Sequence, residues 1–513
     1  MLGVFIKCYT IRCDRLDYHM NDSNMNSVLE YIIKYSKETP DVLSCADAKR
    51  KLTYGELMAR ILGFAGYLRH IGINKGDLVV IICAQKVEYI ITEFALHALG
   101  AVFVPLEKSV SVERVKEILA LTDSKLLVSD RETDIDIANL KLSDILTESY
   151  QNNKLDLSDI TLPAPEDTSE VLFTTGTTGK EKGVEMAYAG SVAVAENARD
   201  GVHLKKDNVD IIPVPINHVL GLRRCYTSLV NGSSLVLCDG VTFMQDFFNL
   251  VDFYRVTSMT LVPAYINILT GIGRTKLIQY RDQIRFVQAG GAKLQEQDKE
   301  NLKECLPDTR LFDMYGCTEA GVACAIDYNS EEALPSSIGW PTVNSEIAFF
   351  DRDANRILPT KETPGFIAIK GTMTMKGYYK DPELTKKTMI DGYVITNDLG
   401  YLEADNSIII LGRDDDVINI GGSKVDPSEI EDHVSRIGGI SDCACIAVED
   451  DIFGQTPKLF VVMDEGADFD PERILRILRA RLENFKMPRI VVQTDEIPRT
   501  YNGKIKRDIL GAD

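Results

Sequence analysis

The feature that most constrains the fold is an alternation of short apolar runs with amphipathic helical patterns. Strands joined through a helix run parallel, so this alternation predicts parallel sheets covered by helices. Strands are predicted at 77–84, 101–106, 124–130, 234–240 and 258–264, and helices at 88–100, 111–122 and 246–256.

The pattern becomes β-rich after about residue 340. Strands are predicted at 346–359 and 365–371, and residues 401–413 have the pattern of a hairpin that turns at Asp405-Asn406. A smaller α/β unit follows the charged run at 413–416. Its predicted helices, 426–439 and 470–485, both begin at an Asp-Pro pair, which supplies an N-cap and a first helical residue.

The length of 513 residues exceeds what one hydrophobic core organises, so at least two domains are expected. We predict an N-terminal extension at 1–26, a large domain at 27–412, a hinge at 413–416 and a small domain at 417–513. The predicted class is α/β: parallel-rich sheets layered with helices and a β-rich subdomain in the large domain, and an α+β small domain.

Composition excludes several partners. The net charge of −20 argues against nucleic acid, whose phosphates need basic clusters. We find no apolar run long enough to span a membrane, and charges within the first 25 residues argue against a signal peptide. The eleven cysteines are predicted to be reduced thiols of a cytoplasmic protein. Cys443 and Cys445 share one face of a predicted strand, but no further ligands recur at a spacing typical of zinc sites.

The stretch FTTGTTGKEKGV, residues 173–184, leaves the end of a predicted strand. It is not a Walker loop, because Gly176 and Gly179 are too close and Glu181 follows Lys180. Its glycines free backbone N–H groups to surround an anion, while threonines and lysines add donors and charge. Taken alone, it fits a phosphate loop and a polar turn equally well. The candidate phosphate-binding residues are Thr174, Thr175, Gly176, Thr177, Thr178, Gly179 and Lys182.

The same stretch resembles the phosphate loop of the adenylate-forming superfamily, which includes acyl-CoA synthetases, peptide-synthetase adenylation domains and luciferases. Six further segments resemble that family's motifs, in the family's order. They are PINHVLGL (215–222), QAGGA (288–292), MYGCTEAG (314–321), YVITNDLG (393–400), GRDDDVINIGGSKVDPSEIE (412–431) and IPRTYNGKIKR (497–507). The sequence departs from the pattern at Glu181, where the family usually has Pro, and at Asn397, where it usually has Gly.

The resemblance implies a ligase that uses ATP and Mg²⁺. A carboxylate attacks the α-phosphate of ATP, which gives acyl-AMP and pyrophosphate, and a thiol then takes the acyl group. Such chemistry needs positive charge and in-line positioning. The chain ends nine residues after Lys504 without a fused carrier domain, so we expect a small carboxylic acid and coenzyme A as substrates. A separate acyl-carrier protein as acceptor and a non-catalytic nucleotide-binding relative are the alternatives.

The resemblance also assigns roles in catalysis and nucleotide binding. Lys504 would bridge the carboxylate and the α-phosphate, Thr318 would touch the α-phosphate, and Glu319 would hold the metal. Nucleotide binding is assigned to Gly290, Gly291, Ala292, Tyr315, Gly316, Asp398 and Arg413, with Tyr315 stacked on adenine and the last two at the ribose. Asp415 would be the hinge about which a mobile small domain rotates. Gly421 and Gly422 would line the path of the pantetheine arm.

His218 lies at the mouth of the acyl pocket by resemblance and is included among the catalytic candidates. The segment INHVLGL contains no carboxylate to anchor an amine, which argues against an α-amino acid substrate. A helix at 220–230 would place Leu220 and Arg224 one turn apart on the pocket wall. A buried Arg requires an acidic partner. That partner is either a second anionic or polar group on the substrate or an acid of the protein itself.

Overall fold

The computed structural model describes residues 25–132, 134–160, 162–174, 182–330, 334, 336–420, 423–450, 454–499 and 505–511. Six of the described α-helices begin where a side chain caps the first turn. Ser27 and Thr53, for example, form capping boxes with Glu30 and Glu56.

The strands before residue 414 lie in three sheets. They are β1 Leu43–Ala46, β2 Lys51–Thr53, β3 Leu78–Ile82, β4 Val102–Leu106, β5 Leu126–Val128, β6 Ala138–Leu140, β7 Thr168–Thr174, β8 Lys182–Ala187, β9 Val209–Ile212, β10 Ser234–Leu237, β11 Ser258–Leu261, β12 Phe286–Ala289, β13 Arg310–Cys317, β14 Gly321–Asp327, β15 Trp340–Pro341, β16 Glu346–Phe350, β17 Gly365–Lys370, β18 Gly377–Tyr378, β19 Met389–Ile390, β20 Tyr393–Leu402 and β21 Ile408–Arg413.

The helices of the same part are α1 Val28–Glu38, α2 Tyr54–His70, α3 Val87–His97, α4 Val112–Thr122, α5 Glu148–Gln151, α6 Tyr188–Gly201, α7 Val219–Asn231, α8 Met244–Phe253, α9 Pro263–Thr270, α10 Arg274–Leu277, α11 Glu296–Cys305 and α12 Pro382–Thr388. Within the described ranges, no helix is both long enough and apolar enough to cross a bilayer.

Two large sheets form the centre of this part. One has the strand order β15-β14-β13-β12-β11-β9-β10-β1-β2, and the other has β18-β8-β7-β4-β3-β5-β6. The strands from β13 to β1 run parallel in the first sheet, as do those from β7 to β6 in the second. Helices α6 and α7 pack on each other, and their buried residues join both sheets in one core. The predicted α/β class is therefore confirmed.

The β-rich segment forms a third sheet, β16-β17-β20-β19, with β21 paired to β20. The predicted hairpin is present as β20 and β21. Asn406 takes a positive φ of 63° in its turn, a conformation that Asn tolerates better than most residues. The apolar run predicted as a strand at 258–264 is shorter in the structure, because Pro263 begins α9.

The C-terminal part comprises β22 Ile418–Ile420, β23 Ser423–Val425, α13 Pro427–Val434, β24 Ile440–Asp450, β25 Gly454–Met463, α14 Pro471–Arg479, β26 Ile490–Gln493 and α15 Arg507–Leu510. Its sheet has the order β23-β22-β25-β24, with β26 beside β25. Asp426 and Asp470 cap α13 and α14 as predicted. Cys443 and Cys445 both enter the core of this part, so they share one face of β24.

Candidate nucleotide and acyl site

The candidate nucleotide residues gather where β12 and β13 end. These strands pair in parallel, with Ala289 opposite Asp313, so the turn at Gly290-Gly291-Ala292 lies beside Tyr315 and Gly316 near the end of β13. Carboxyl ends of parallel strands are the usual ligand edge of such sheets. Gly291 has a φ of +84°, which a side chain would strain.

Tyr315 and Asp398 form one unit. The Tyr315 hydroxyl donates to Asp398 Oδ2 at 2.6 Å. Burial, with the charge of Asp398, raises the pKa of Tyr315 well above its ordinary value, so the phenol keeps its proton. Asp398 lies opposite Arg413 in the β20–β21 pair. The structure thus brings together the residues that the resemblance assigns to adenine and ribose.

Thr318 and Glu319 occupy the tight connection between β13 and β14. The Tyr378 hydroxyl donates to Glu319 Oε1 at 2.9 Å, and the Glu319 carbonyl accepts from the Met375 N–H at 2.8 Å. Lys182, at the start of β8, places its ammonium 5.7 Å from the Tyr378 ring centre. The end of the candidate phosphate loop and the candidate metal ligand therefore share one neighbour.

The donor set at Glu319 fits magnesium. Mg²⁺ is held by oxygen, commonly by one or two carboxylates together with substrate phosphates and water. Glu319 is half-buried, and a carboxylate retains acceptor capacity after accepting one hydrogen bond. The described part of the chain contains no cluster of three or more His, Cys, Asp or Glu that would form a complete protein cage.

Leu220 links the candidate acyl pocket to the glycine turn. A β-carbon added to Gly290 would lie 3.1 Å from Leu220 Cδ1, and one added to Gly291 would lie 3.8 Å from Cδ2. His218 is the N-cap residue of α7, and its Nε2 lies 3.9 Å from Glu107 Oε2. Burial lowers the pKa of His218 to about 4, so its imidazole is neutral at pH 7.

Arg224 pairs with a protein acid. It is 1% exposed, its Nε donates to Asp210, and its Nη1 donates to Gln288 Oε1 at 3.0 Å. Asp210 also accepts from Ser258 at 2.7 Å and from Thr260 at 3.1 Å. The hypothesis that Arg224 offers its charge to a second anionic group of the substrate is therefore corrected, because Asp210 already neutralises that charge.

The predicted hinge lies against the middle of β20. Asn397 keeps a strand backbone without a positive φ, so the departure from Gly requires no unusual conformation. Its carbonyl accepts from the Asp414 N–H at 2.8 Å, and its side-chain amide lies 3.5 Å from Asp415 Oδ2. The Arg413 guanidinium is 3.8 Å from the same Asp415 oxygen.

Several predicted residues lie outside the described ranges. They are Lys504, Thr175, Gly176, Thr177, Thr178, Gly179, Gly421 and Gly422. Glu181 lies outside them as well.

Sequence reasoning missed two residues. Tyr378 lies 59 positions from Glu319, and no spacing rule connects them. Lys293 follows Ala292 directly and reaches the small domain, with its Nζ 3.1 Å from Asp426 Oδ2 and 3.9 Å from Asp432 Oδ2. Its position next to the glycine turn was the available signal, but no sequence feature identifies its acidic partners.

Known proteins resemble the chain over nearly its whole length. The profile of the family described as AMP-binding enzyme matches residues 34–379, and that of the AMP-binding enzyme C-terminal domain matches residues 429–504. A 4-coumarate–CoA ligase 3 of Arabidopsis thaliana is 27% identical, over 90% of this chain and 86% of the relative. A 2-succinylbenzoate–CoA ligase of Bacillus cereus is 25% identical, over 94% and 98%. ATP-bound MatB from Rhodopseudomonas palustris shares the fold with a TM-score of 0.85 at 24% identity, over 94% of this chain and 98% of that one.

Proposed function

Because this chain belongs to the AMP-binding enzyme family and is an AMP-forming acyl-CoA ligase by type, we propose that it activates a small carboxylic acid with ATP. The acyl-AMP formed with release of pyrophosphate then passes its acyl group to the thiol of coenzyme A. In the first step a carboxylate oxygen bonds to the α-phosphorus as the bond to pyrophosphate breaks. In the second, sulfur bonds to the acyl carbon and AMP leaves.

The observation that carries this proposal is the Tyr315–Asp398 unit beside the Gly290–Gly291 turn, with Glu319 only four residues beyond Tyr315. Tyr315 offers an aromatic face for adenine where the glycines permit close approach. Asp398 has acceptor capacity left for ribose hydroxyls. This combination favours a nucleotide over an acid alone as the ligand of this site.

The α-phosphate and the attacking carboxylate are both anionic, so the reaction depends on cations. We assign Lys504 to the bridging position between them and Thr318 to the α-phosphate. Thr174, Lys182 and the threonines and glycines at 175–179 would hold the departing pyrophosphate. Magnesium, when bound at Glu319, supplies positive charge to the phosphate oxygens.

The acyl pocket favours an acid without a second charge. Leu220 presents an apolar wall, His218 is neutral at pH 7, and Asp210 neutralises Arg224. Among the described acyl-pocket candidates His218, Leu220 and Arg224, none supplies a net positive charge to balance the second anion of a dicarboxylate. We therefore propose a monocarboxylic acid whose acyl group lies against Leu220.

Coenzyme A is the proposed acceptor, because two relatives that align over most of the chain are named CoA ligases. Gly421 and Gly422 would let the pantetheine arm pass close to the backbone. Loading of a separate acyl-carrier protein is the second candidate.

A panel of carboxylic acids, scored for ATP-dependent pyrophosphate release with and without coenzyme A, tests the proposal. The panel should contain 4-coumarate, 2-succinylbenzoate, straight-chain monocarboxylic acids and their dicarboxylic counterparts. We expect release with monocarboxylic acids and thioester formation once coenzyme A is added. Release without thioester would favour a carrier protein, and the absence of release with every acid would favour a non-catalytic relative.

A further inference from the structure

Tyr378 occupies an unusual position for a core tyrosine. It is 7% exposed, and its ring packs in the main core, yet its hydroxyl donates to Glu319 Oε1 at 2.9 Å. The hydroxyl thus reaches Glu319, the candidate magnesium ligand. The ring faces the ammonium of Lys182 at 5.7 Å, a distance at which a cation is attracted to an aromatic face.

The backbone around Tyr378 ties three segments together. Strand β18 pairs with β8, with Tyr378 opposite Val184, two residues after Lys182. The Met375 N–H, three residues before Tyr378, donates to the Glu319 carbonyl at 2.8 Å. The Tyr378 N–H donates to Thr385 Oγ1 at 2.8 Å. These contacts fix the ring relative to both the phosphate-loop strand and the turn that carries Glu319.

We propose that Tyr378 is a positioning residue for the metal site: its hydroxyl holds one oxygen of Glu319 so that the carboxylate presents its remaining lone pairs to magnesium beside Lys182. This inference rests on the proposed function, in which Glu319 is the metal ligand. Partners that hydrogen-bond to a ligating carboxylate fix its orientation, and their loss typically weakens metal binding by about 10–100-fold.

The bond also restrains a flexible side chain. Without it, Glu319 would sample several rotamers on a half-buried turn, and each binding event would have to order the carboxylate first. The substitution Tyr378→Phe removes the hydroxyl while keeping the ring that packs in the core and faces Lys182. Tyr379→Phe is the matched control. It removes a hydroxyl from the next residue, whose ring packs in a different cluster.

The experiment measures ATP affinity by calorimetry, with magnesium and with a chelator, in the absence of carboxylic acid so that no turnover occurs. We expect Tyr378→Phe to lower the affinity gain that magnesium provides by about 10-fold, while affinity without the metal changes little. Tyr379→Phe should retain the full gain. Combining Tyr378→Phe with Glu319→Gln should add nothing to the effect of Glu319→Gln alone.

The outcomes distinguish the positioning role of Tyr378 from the assignment of Glu319 as the metal ligand in the proposed function. If Glu319→Gln leaves the magnesium-dependent gain intact, the metal assignment in the proposed function fails. If Glu319→Gln abolishes the gain but Tyr378→Phe preserves it, the positioning role alone is wrong. Equal loss of affinity with and without magnesium in Tyr378→Phe would mean a purely structural tyrosine and would also overturn the inference. Thermal melting of the variants verifies that each is folded.

Discussion

Arg224 shows what a single residue type reveals in a sequence and what it does not. The sequence predicted a helix at 220–230 that places Arg224 and Leu220 on one face. It also predicted that Arg224, if buried, requires an acidic partner. The identity of the acid was not predictable, since Asp210 lies on β9 and only the folded sheet brings it under α7. Tyr315 and Asp398 were assigned to the nucleotide because each stands in a recognisable motif. Tyr378 has no such context, so its bond to Glu319 is visible only in the fold.

Arg224→Leu is expected to destabilise the protein rather than change its preference between mono- and dicarboxylic acids. Removing one partner leaves Asp210 charged and buried, which costs about 3–5 kcal/mol. Denaturant unfolding measures the loss. The double variant Arg224→Leu/Asp210→Leu is the control and should recover part of it. A stable single variant that gains or loses dicarboxylate activity would show that the substrate, and not Asp210, is the functional partner of Arg224.

The sequence predicted the presence and the starts of helices better than it predicted their ends. Asp-Pro pairs gave the starts of α13 and α14, because capping is local chemistry. The predicted ends were too late: α13 stops at Val434 rather than near Gly439, and α14 stops at Arg479. Leu482 lies within the predicted helix 470–485 and is 6% exposed, but it enters the core from beyond the observed end of α14. A hydrophobic pattern indicates which residues are buried, and a residue in a turn can be buried as well as one in a helix.

At the scale of elements, we expect the ionic contact between Lys293, next to the glycine turn, and the acids at α13 to hold that helix in place. Burial opposes the charged form of Lys293, but Asp426 and Asp432 outweigh it and raise its pKa, so the contact is ionic at pH 7. Lys293→Ala should release α13 from the large domain and raise amide hydrogen exchange in residues 427–434. Lys303→Ala, an exposed position on the neighbouring helix α11, is the control. Unchanged exchange in Lys293→Ala would show that other contacts hold the small domain.

At the scale of the whole molecule, we propose that the small domain rotates about residue 415 between the two half-reactions, as the family resemblance implies. The rhythm of strands and helices predicted the architecture because parallel sheets need covering helices. The relation between domains could not be predicted in this way. It depends on contacts such as Lys293–Asp426 between residues 133 positions apart.

Two substitutions should each affect one half-reaction more than the other. Lys504→Ala is expected to abolish adenylate formation while thioester formation from supplied acyl-AMP continues, because the bridging charge acts only in the first half. Asp415→Pro should slow the second half more than the first, since a proline ring restrains the φ angle about which the hinge turns. Rapid-quench assays of each half-reaction measure both effects. Equal loss of both halves in Lys504→Ala, or wild-type rates in Asp415→Pro, would contradict the two-arrangement account.

The most direct test of activation through an acyl-adenylate traces the oxygen atoms of the substrate carboxylate. The accepted acid, labelled with oxygen-18 at both carboxylate positions, is incubated with ATP, magnesium and coenzyme A, and the products are analysed by mass spectrometry. If the carboxylate attacks the α-phosphate and the thiol then displaces AMP, each AMP carries one labelled oxygen and the thioester retains the other. Unlabelled AMP, or label in inorganic phosphate accompanied by ADP, would contradict activation through an acyl-adenylate.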